Sequence, residues 1–264
     1  MGIATAAVPR TAEKVVRHVR FSPAPAKIER CPTACSSCSL RTACLPGVLH
    51  LQFVGARNVL GSMRGLRRRR DIMKRAGAQF ESLYAVRSGF FKSYVLAEDG
   101  REQVTGFQMA GDIVGLESIE ADAHGTTVEA LDDSIVCVIP FAALERTAGR
   151  LPGLQRQLFR MLSREIARDQ SMMMLLGTMH AEGRVAAFLL NLSQRFHQRG
   201  YADAEFNLRM TREEIGSYLG LKLETVSRVF SRLQQSRLID VQNRHVRIRD
   251  VTGLKSMLVR AGAR

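Results

Sequence analysis

Four of the five cysteines sit between positions 31 and 44, as Cys31, Cys35, Cys38 and Cys44 in the spacing C-x3-C-x2-C-x5-C, and the fifth, Cys137, stands alone much further along. Thiolates gathered this closely are ligands for soft metals. The N-terminus, Met1 to Val8 followed by Arg10, lacks the apolar core of a secretion signal. In such a chain a cysteine cluster suggests metal rather than disulfides. Zinc is the usual partner of C-x2-C, but structural zinc sites show a second ligand pair, and none accompanies Cys137. Three close thiolates plus a remote one is a pattern of iron–sulfur ligation. The plainer role for Cys137, which alternates with Ile135 and Ile139, is that of a core residue on a strand.

A second chemistry lies near the C-terminus. Thr211-Arg212-Glu213-Glu214 reads as a capping box, the Thr hydroxyl accepting from the third helical amide and Glu214 reaching back. The helix it opens ends at Gly220, and a longer one follows over about Lys222 to Gln235, the order of a helix-turn-helix. Leu223, Val226, Phe230 and Leu233 share one face, and Glu224, Ser227 and Arg228 share another. Arg can donate two bonds to guanine, Glu can accept from an exocyclic amine, and Ser can do either. The bland alternative is a solvated ion pair. Leu238 to Val241 and His245 to Ile248 flank Gln242-Asn243-Arg244, a hairpin expected to form a wing. Its Arg244, Arg247 and Arg249 could meet phosphates, and Thr211 is counted with the DNA-facing residues.

These groups need a scaffold. Residues 1–44 carry 7 basic and 2 acidic groups, 45–150 carry 13 of each, 151–176 carry 4 and 2, and 177–264 carry 15 and 8. A basic C-terminal segment suits a polyanion, and the neutral middle excludes a protein that is simply cationic throughout. With 45% hydrophobic and 24% charged residues and no apolar run of 18, the chain is expected to be cytoplasmic, without a membrane partner. Short β-prone runs, Leu83 to Val86, Phe90 to Leu96, Gln103 to Phe107, Thr126 to Ala130 and Ser134 to Ile139, alternate with Gly89, Gly100, Gly106, Gly111, Gly115 and Gly125, taken as turns. That spacing predicts an antiparallel sandwich or barrel.

After Pro152 the period changes. Gln155, Phe159, Leu162, Ile166, Asp169, Met173 and Leu176 alternate spacings of four and three, a two-stranded coiled-coil seam. One helix cannot bury both that seam and the stripe Leu154, Leu158 and Met161 on one surface, so a homodimer through Phe159, Leu162, Ile166, Asp169 and Met173 is expected. The fold class is therefore α+β. The expected domains are a flexible extension over 1–30, a cysteine loop over 31–47, a β-roll over 48–150, a dimerisation helix over 151–177 and a winged helix-turn-helix over 178–264.

Several stretches together resemble the fumarate and nitrate reduction regulators, the oxygen-sensing branch of the catabolite activator protein superfamily. They are Cys35-x2-Cys38-x5-Cys44, Ser82 to Gly89, Gln103 to Phe107, Ala110-Gly111-Asp112-Ile113-Val114-Gly115, Cys137 and Glu224-Thr225-Val226-Ser227-Arg228. The resemblance runs from about Cys31 to the C-terminus. It implies a four-iron, four-sulfur [4Fe-4S] cluster on Cys35, Cys38, Cys44 and Cys137, with Cys31 the non-ligand. It also implies a cyclic-nucleotide-binding-like roll and a dimer that binds a TTGAT-type inverted repeat when oxygen is absent and acts as an activator. RNA polymerase is the implied partner of the loop Leu96 to Arg101, where Arg101 stands in place of an expected acidic residue.

Two other functions compete with this one. A cyclic-nucleotide sensor holds its phosphate with an Arg-Ser or Arg-Thr pair after the Gly111 to Gly115 turn, but His124-Gly125-Thr126-Thr127 contains no Arg, so no cyclic nucleotide is expected. A redox enzyme would need a nucleotide fingerprint, a flavin motif or a Ser/His/Asp arrangement, none of which accompanies the cysteines, so no enzyme is expected.

Overall fold

Between positions 63 and 140 the alternation of apolar and polar side chains builds two antiparallel sheets laid face to face. The computed structural model describes residues 28–30, 38 and 63–260. The extension before residue 28 and Cys31, Cys35 and Cys44 of the cysteine loop lie outside the described residues. The strands are β1 (Ile28–Arg30), β2 (Met63–Arg67), β3 (Ile72–Lys74), β4 (Ser82–Ser88), β5 (Phe90–Leu96), β6 (Glu102–Met109), β7 (Ile113–Val114), β8 (Thr127–Ala130) and β9 (Ser134–Pro140). One sheet has the order β1-β2-β9-β4-β7 and the other β3-β8-β5-β6.

Because successive strand residues point to opposite faces, β9 sends Val136 inward, where it joins Val86 and Val114 against Met73, Phe91, Val128 and Ala130 of the second sheet. Its neighbours Cys137 and Ile139 point outward. There Leu83, Ala85 and Ile139 are covered by Leu144 of helix α1 (Phe141–Ala148) and Leu154 of helix α2 (Pro152–Thr178). Leu158 and Met161 continue that contact along α2.

Along another side the long helix presents a second stripe to solvent: Phe159 and Ile166 are 58% exposed and Met173 is 65% exposed. Large apolar side chains in a row at coiled-coil spacing are what a helix awaiting a partner presents. No helix among the described residues is long and apolar enough to cross a membrane.

Helix α3 (Ala181–His197) follows after only Met179 and His180, both with extended backbone. The remaining elements are β10 (Glu205–Asn207), α4 (Arg212–Leu219), α5 (Leu223–Gln235), β11 (Ile239–Gln242), β12 (His245–Ile248) and α6 (Val251–Arg260), with the strands ordered β10-β12-β11. The chain is thus α+β, a sheet-built N-terminal part followed by a long helix and a winged helix-turn-helix. One hydrophobic cluster joins the two ends, as Tyr94, Val104, Phe107 and Leu131 of the sheets pack with Phe188, Leu208, Ile215 and Leu219 of the C-terminal part.

Two expectations are corrected. Gly106 is not in a turn: it lies inside β6 opposite Ser93, where the register shifts, as a glycine at a β-bulge does. Leu223 is 44% exposed, and Val229 is buried with Val226, Phe230 and Leu233 instead. Leu223 is the first residue of α5, one turn short of the packing surface. Strands β1, β2, β3, β7 and β10 and helices α1 and α6 were not anticipated, being too short or too weakly patterned to show a period.

Candidate functional site

The capping box at the start of α4 is formed in both directions: Glu214 N donates to Thr211 Oγ1 at 3.1 Å and Thr211 N donates to Glu214 Oε2 at 2.7 Å. The turn after α4 depends on close backbone approach. A Cβ at Gly216 would stand 2.5 Å from Leu221 O, and Gly220 has φ +63°. Arg212 lies 3.3 Å from the centre of the Phe230 ring, pinning α4 across α5, and burial pushes its guanidinium down to about 10.

With Val226, Val229, Phe230 and Leu233 buried, α5 exposes Glu224, Ser227 and Arg228 on its other side. In the wing, Asn243 takes φ +57° at the hairpin turn. The neighbouring Arg244 donates to Arg209 O at 3.3 Å. Arg247 Nε is 3.8 Å from Glu205, and Arg249 pairs with Asp240. All three arginines are exposed. The sequence could not show that Arg249 is already paired with a carboxylate on the adjacent strand.

Cys137 occupies the middle of β9, opposite Ala85 on one side and Arg64 on the other, and Arg64 in turn stands opposite Glu29 of β1. Two strand spacings place Glu29 about 10 Å from Cys137. Cys31 follows β1 directly, so the chain enters the cysteine loop close to the Cys137 strand. The Cys137 side chain is half-buried with the cluster of Leu144, Leu151 and Leu158 at the base of α2. Cys38 is half-buried. Among the described residues no three His, Cys, Asp or Glu side chains gather as a metal site.

Of the residues expected at a dimer seam, Phe159, Ile166, Asp169 and Met173 are exposed and Leu162 is half-buried. Glu165, one turn before Asp169, pairs with Arg168 at 3.1 Å, and burial chiefly, with Asp169 adding to it, holds its carboxyl above the ordinary value. After the Gly111 to Gly115 turn, Thr126 Oγ1 donates to Glu117 at 2.9 Å, Glu117 pairs with the buried Lys74, and Ser118 and His124 are joined at 2.8 Å.

The family model for the Crp-like helix-turn-helix domain matches residues 183–257, and that for the cyclic nucleotide-binding domain matches residues 67–150. The transcriptional activator protein Anr of Pseudomonas protegens is 44% identical over 216 residues, 82% of this chain and 88% of its own length. The fumarate and nitrate reduction regulatory protein of Escherichia coli is 41% identical over 228 residues, 86% of this chain and 91% of its own. The chain belongs to the family of fumarate and nitrate reduction regulators. It is a transcription regulator with a DNA-binding helix-turn-helix. FixK2 from Bradyrhizobium japonicum, 33% identical, superposes with a TM-score of 0.69 over 74% of this chain and 96% of that one.

In this regulator the reading head, α3 to α6, is bolted to the β-roll by polar contacts that sequence reasoning missed. Lys92, buried on β5, meets Glu102 at 2.9 Å, Glu214 at 3.2 Å and Glu129 at 3.5 Å. Burial alone would lower its pKa, but the hydrogen bond to Glu102 and the charges of Glu129 and Glu214 outweigh it, so the ammonium titrates above its ordinary value. Ser217 of α4 sits on the edge strand β6, accepting from Val104 N at 2.8 Å and donating to Glu102 O at 2.9 Å. It thereby satisfies backbone groups that an edge strand otherwise leaves open. At the far end of α3, Arg199 Nη2 donates to Asp112 Oδ1 at 2.8 Å and Arg195 pairs with the same carboxylate. The only sequence signal for these pairs was a charged residue inside a β-prone run, Lys92, or within the Gly111 to Gly115 turn, Asp112.

Proposed function

We propose that this regulator responds to oxygen: that it holds a [4Fe-4S] cluster on Cys35, Cys38, Cys44 and Cys137, and that it binds a TTGAT-type inverted repeat as a homodimer under anaerobic conditions. The observation that carries this is the position of Cys137. Its thiol faces the base of α2, on the strand two places from β1, after which the cysteine loop begins. When bound, the cluster would be held by the thiolates of Cys35, Cys38 and Cys44 in the loop and of Cys137 on β9, and would supply an oxygen-sensitive link between the two.

The chain's own residues do the rest. Leu144, Leu154 and Leu158 pack around the outer face of β9, so a change in the seating of Cys137 bears on the first turns of α2. From there the helix carries Phe159, Leu162, Ile166, Asp169 and Met173 to a second copy of the chain. Dimerisation brings two α5 helices to half-sites one helical turn apart, with Glu224, Ser227 and Arg228 toward base edges and Thr211, Arg244 and Arg247 toward phosphates. We take residues 31–47 as the cluster loop, 48–150 as the sensory roll, 151–177 as the dimerisation helix and 178–264 as the DNA-binding domain of a cytoplasmic protein. RNA polymerase is a further partner in this reading; in the loop after β5, where the resemblance places its contact, Arg101 stands in place of the expected acidic residue and pairs with Asp99 at 2.6 Å.

The test is a measurement of iron, acid-labile sulfide and DNA affinity on one anaerobic preparation before and after air. About four irons per chain, with loss of specific binding as they are lost, is the expected result. Equal DNA binding with and without iron overturns it.

A further inference from the structure

The last carbonyls of an α-helix have no partner within it, and they carry the negative end of its dipole. At the end of α2, Leu175 O accepts from Met179 N at 3.1 Å, which leaves the next carbonyl, Leu176 O, to another donor. At the end of α4, Leu219 O is in the same position. One side chain takes both. Arg184, on the first turn of α3, donates from Nη2 to Leu176 O at 2.7 Å, from Nη1 to Leu219 O at 3.0 Å and from Nε to Met179 O at 2.9 Å. Its cation therefore lies at the negative ends of two helices. The glycine of the reading-head turn closes over it, since a Cβ at Gly220 would lie 3.4 Å from Arg184 Nη1 and 3.8 Å from the Leu176 side chain.

The covalent joint here consists of two residues. Met179 has φ −98° and ψ 144° and His180 has φ −71° and ψ 166°, extended conformations that a small rotation changes at little cost. Such a joint does not by itself fix the angle between the helices it connects. Beside the contacts of Lys92, Ser217, Arg195 and Arg199 that dock the head on the roll, three directed bonds from one planar group constrain that angle at the joint itself, and a lysine, with a single charged point on a flexible stem, cannot make all three in this geometry.

The geometry points to Arg184 as the positioning residue that sets the angle of the reading head on the dimerisation helix, and so the spacing between half-sites that the dimer accepts. This rests on the DNA-binding dimer proposed above. Arg184 lies on the joint and not on the α5 face that carries Glu224, Ser227 and Arg228. Its removal should leave each head's recognition of one half-site unchanged and blunt the choice between spacings.

The experiment uses the full chain, purified without air, as wild type, Arg184→Lys and Arg184→Gln. The probes are duplexes with two TTGAT half-sites as inverted repeats, the spacing natural or altered by one base pair either way, and a duplex with a single half-site. The wild type is expected to prefer one spacing by about tenfold, the cost of one poorly met base contact. Both variants should lose most of that preference while half-site affinity and the monomer–dimer constant stay within about twofold. Variants that keep the wild-type spacing preference overturn the assignment. So does equal loss on half-site and full-site DNA, which would make Arg184 a support of the head's own fold. A wild type that itself ignores spacing overturns the dimer reading instead. Should Arg184→Gln unfold on melting, Arg184→Lys decides alone.

Discussion

Lys92 Nζ lies 3.2 Å from Glu214 Oε1, and through that pair a strand of the β-roll holds the first helix of the DNA-reading motif. The other oxygen of the same carboxylate accepts from Thr211 N at 2.7 Å. Glu214 therefore caps its own helix and docks it on the roll at once. Around Lys92 stand two further carboxylates, Glu102 and Glu129, so a single cation balances three anions.

Lys92→Met should lower stability by about 2–3 kcal/mol, below the range for a fully buried pair because Glu102 is partly solvated. Denaturant unfolding checks this. An unchanged midpoint would mean that the three carboxylates relax into water without the cation.

His124 supplies a pH dependence. Burial, aided by the charge of Lys74, holds its pKa below the ordinary 6.5. Between the folded value and 6.5 the unfolded chain binds the extra proton, so stability is present above about pH 6.5 and declines on acidification, by at most about 1.4 kcal/mol per pH unit. Replacing His124 with Gln should flatten the decline below about pH 6.5 relative to wild type. Parallel stability curves for the two proteins would remove His124 as its source.

Among the cysteines, Cys137→Ser should abolish stable iron binding and Cys31→Ser should leave it nearly intact, because a hydroxyl is a poor substitute for thiolate toward iron. Iron content of anaerobically purified variants decides this. The reverse pattern would exchange the roles of the two cysteines.

On the reading face, Arg228→Ala is expected to cost roughly 1–3 kcal/mol on the specific site and to relax discrimination at the guanine it reads. Arg247→Ala should weaken specific and non-specific DNA alike and reduce the salt slope by about one unit. Titrations at several salt concentrations separate the two. Equal loss on both DNAs for Arg228→Ala would make it a phosphate contact.

Asp169 is exposed on the seam, one turn after Glu165. In a parallel dimer its two copies face each other, and like charges about 4 Å apart repel by roughly 4 kcal/mol at an effective dielectric near 20, less where water enters. Asp169→Ala should therefore shift the cluster-free chain toward dimer in air. Sedimentation would show it, and a monomer–dimer constant equal to wild type would exclude Asp169 from the switch.

The features legible in the sequence are those whose physics is local. A Thr three residues before a Glu can close a capping box within one turn, and that box is formed at Thr211 and Glu214. A seam spaced by four and three beside a stripe at Leu154, Leu158 and Met161 divides one helix between two surfaces, and α2 buries the stripe and exposes most of the seam. What the tertiary structure alone decided are the meetings of residues far apart in the chain. Lys92 finds Glu214 because α4 packs on the edge strand β6. Asp112 finds Arg195 and Arg199 because α3 runs past the turn before β7. Arg184 finds Leu219 because two helix ends converge on one guanidinium. Spacing along the chain carries no information about such pairs. Charged side chains and helix-end carbonyls find their partners only after apolar burial has set the surfaces against each other, and an unpaired polar group trapped there is too costly to leave unmet.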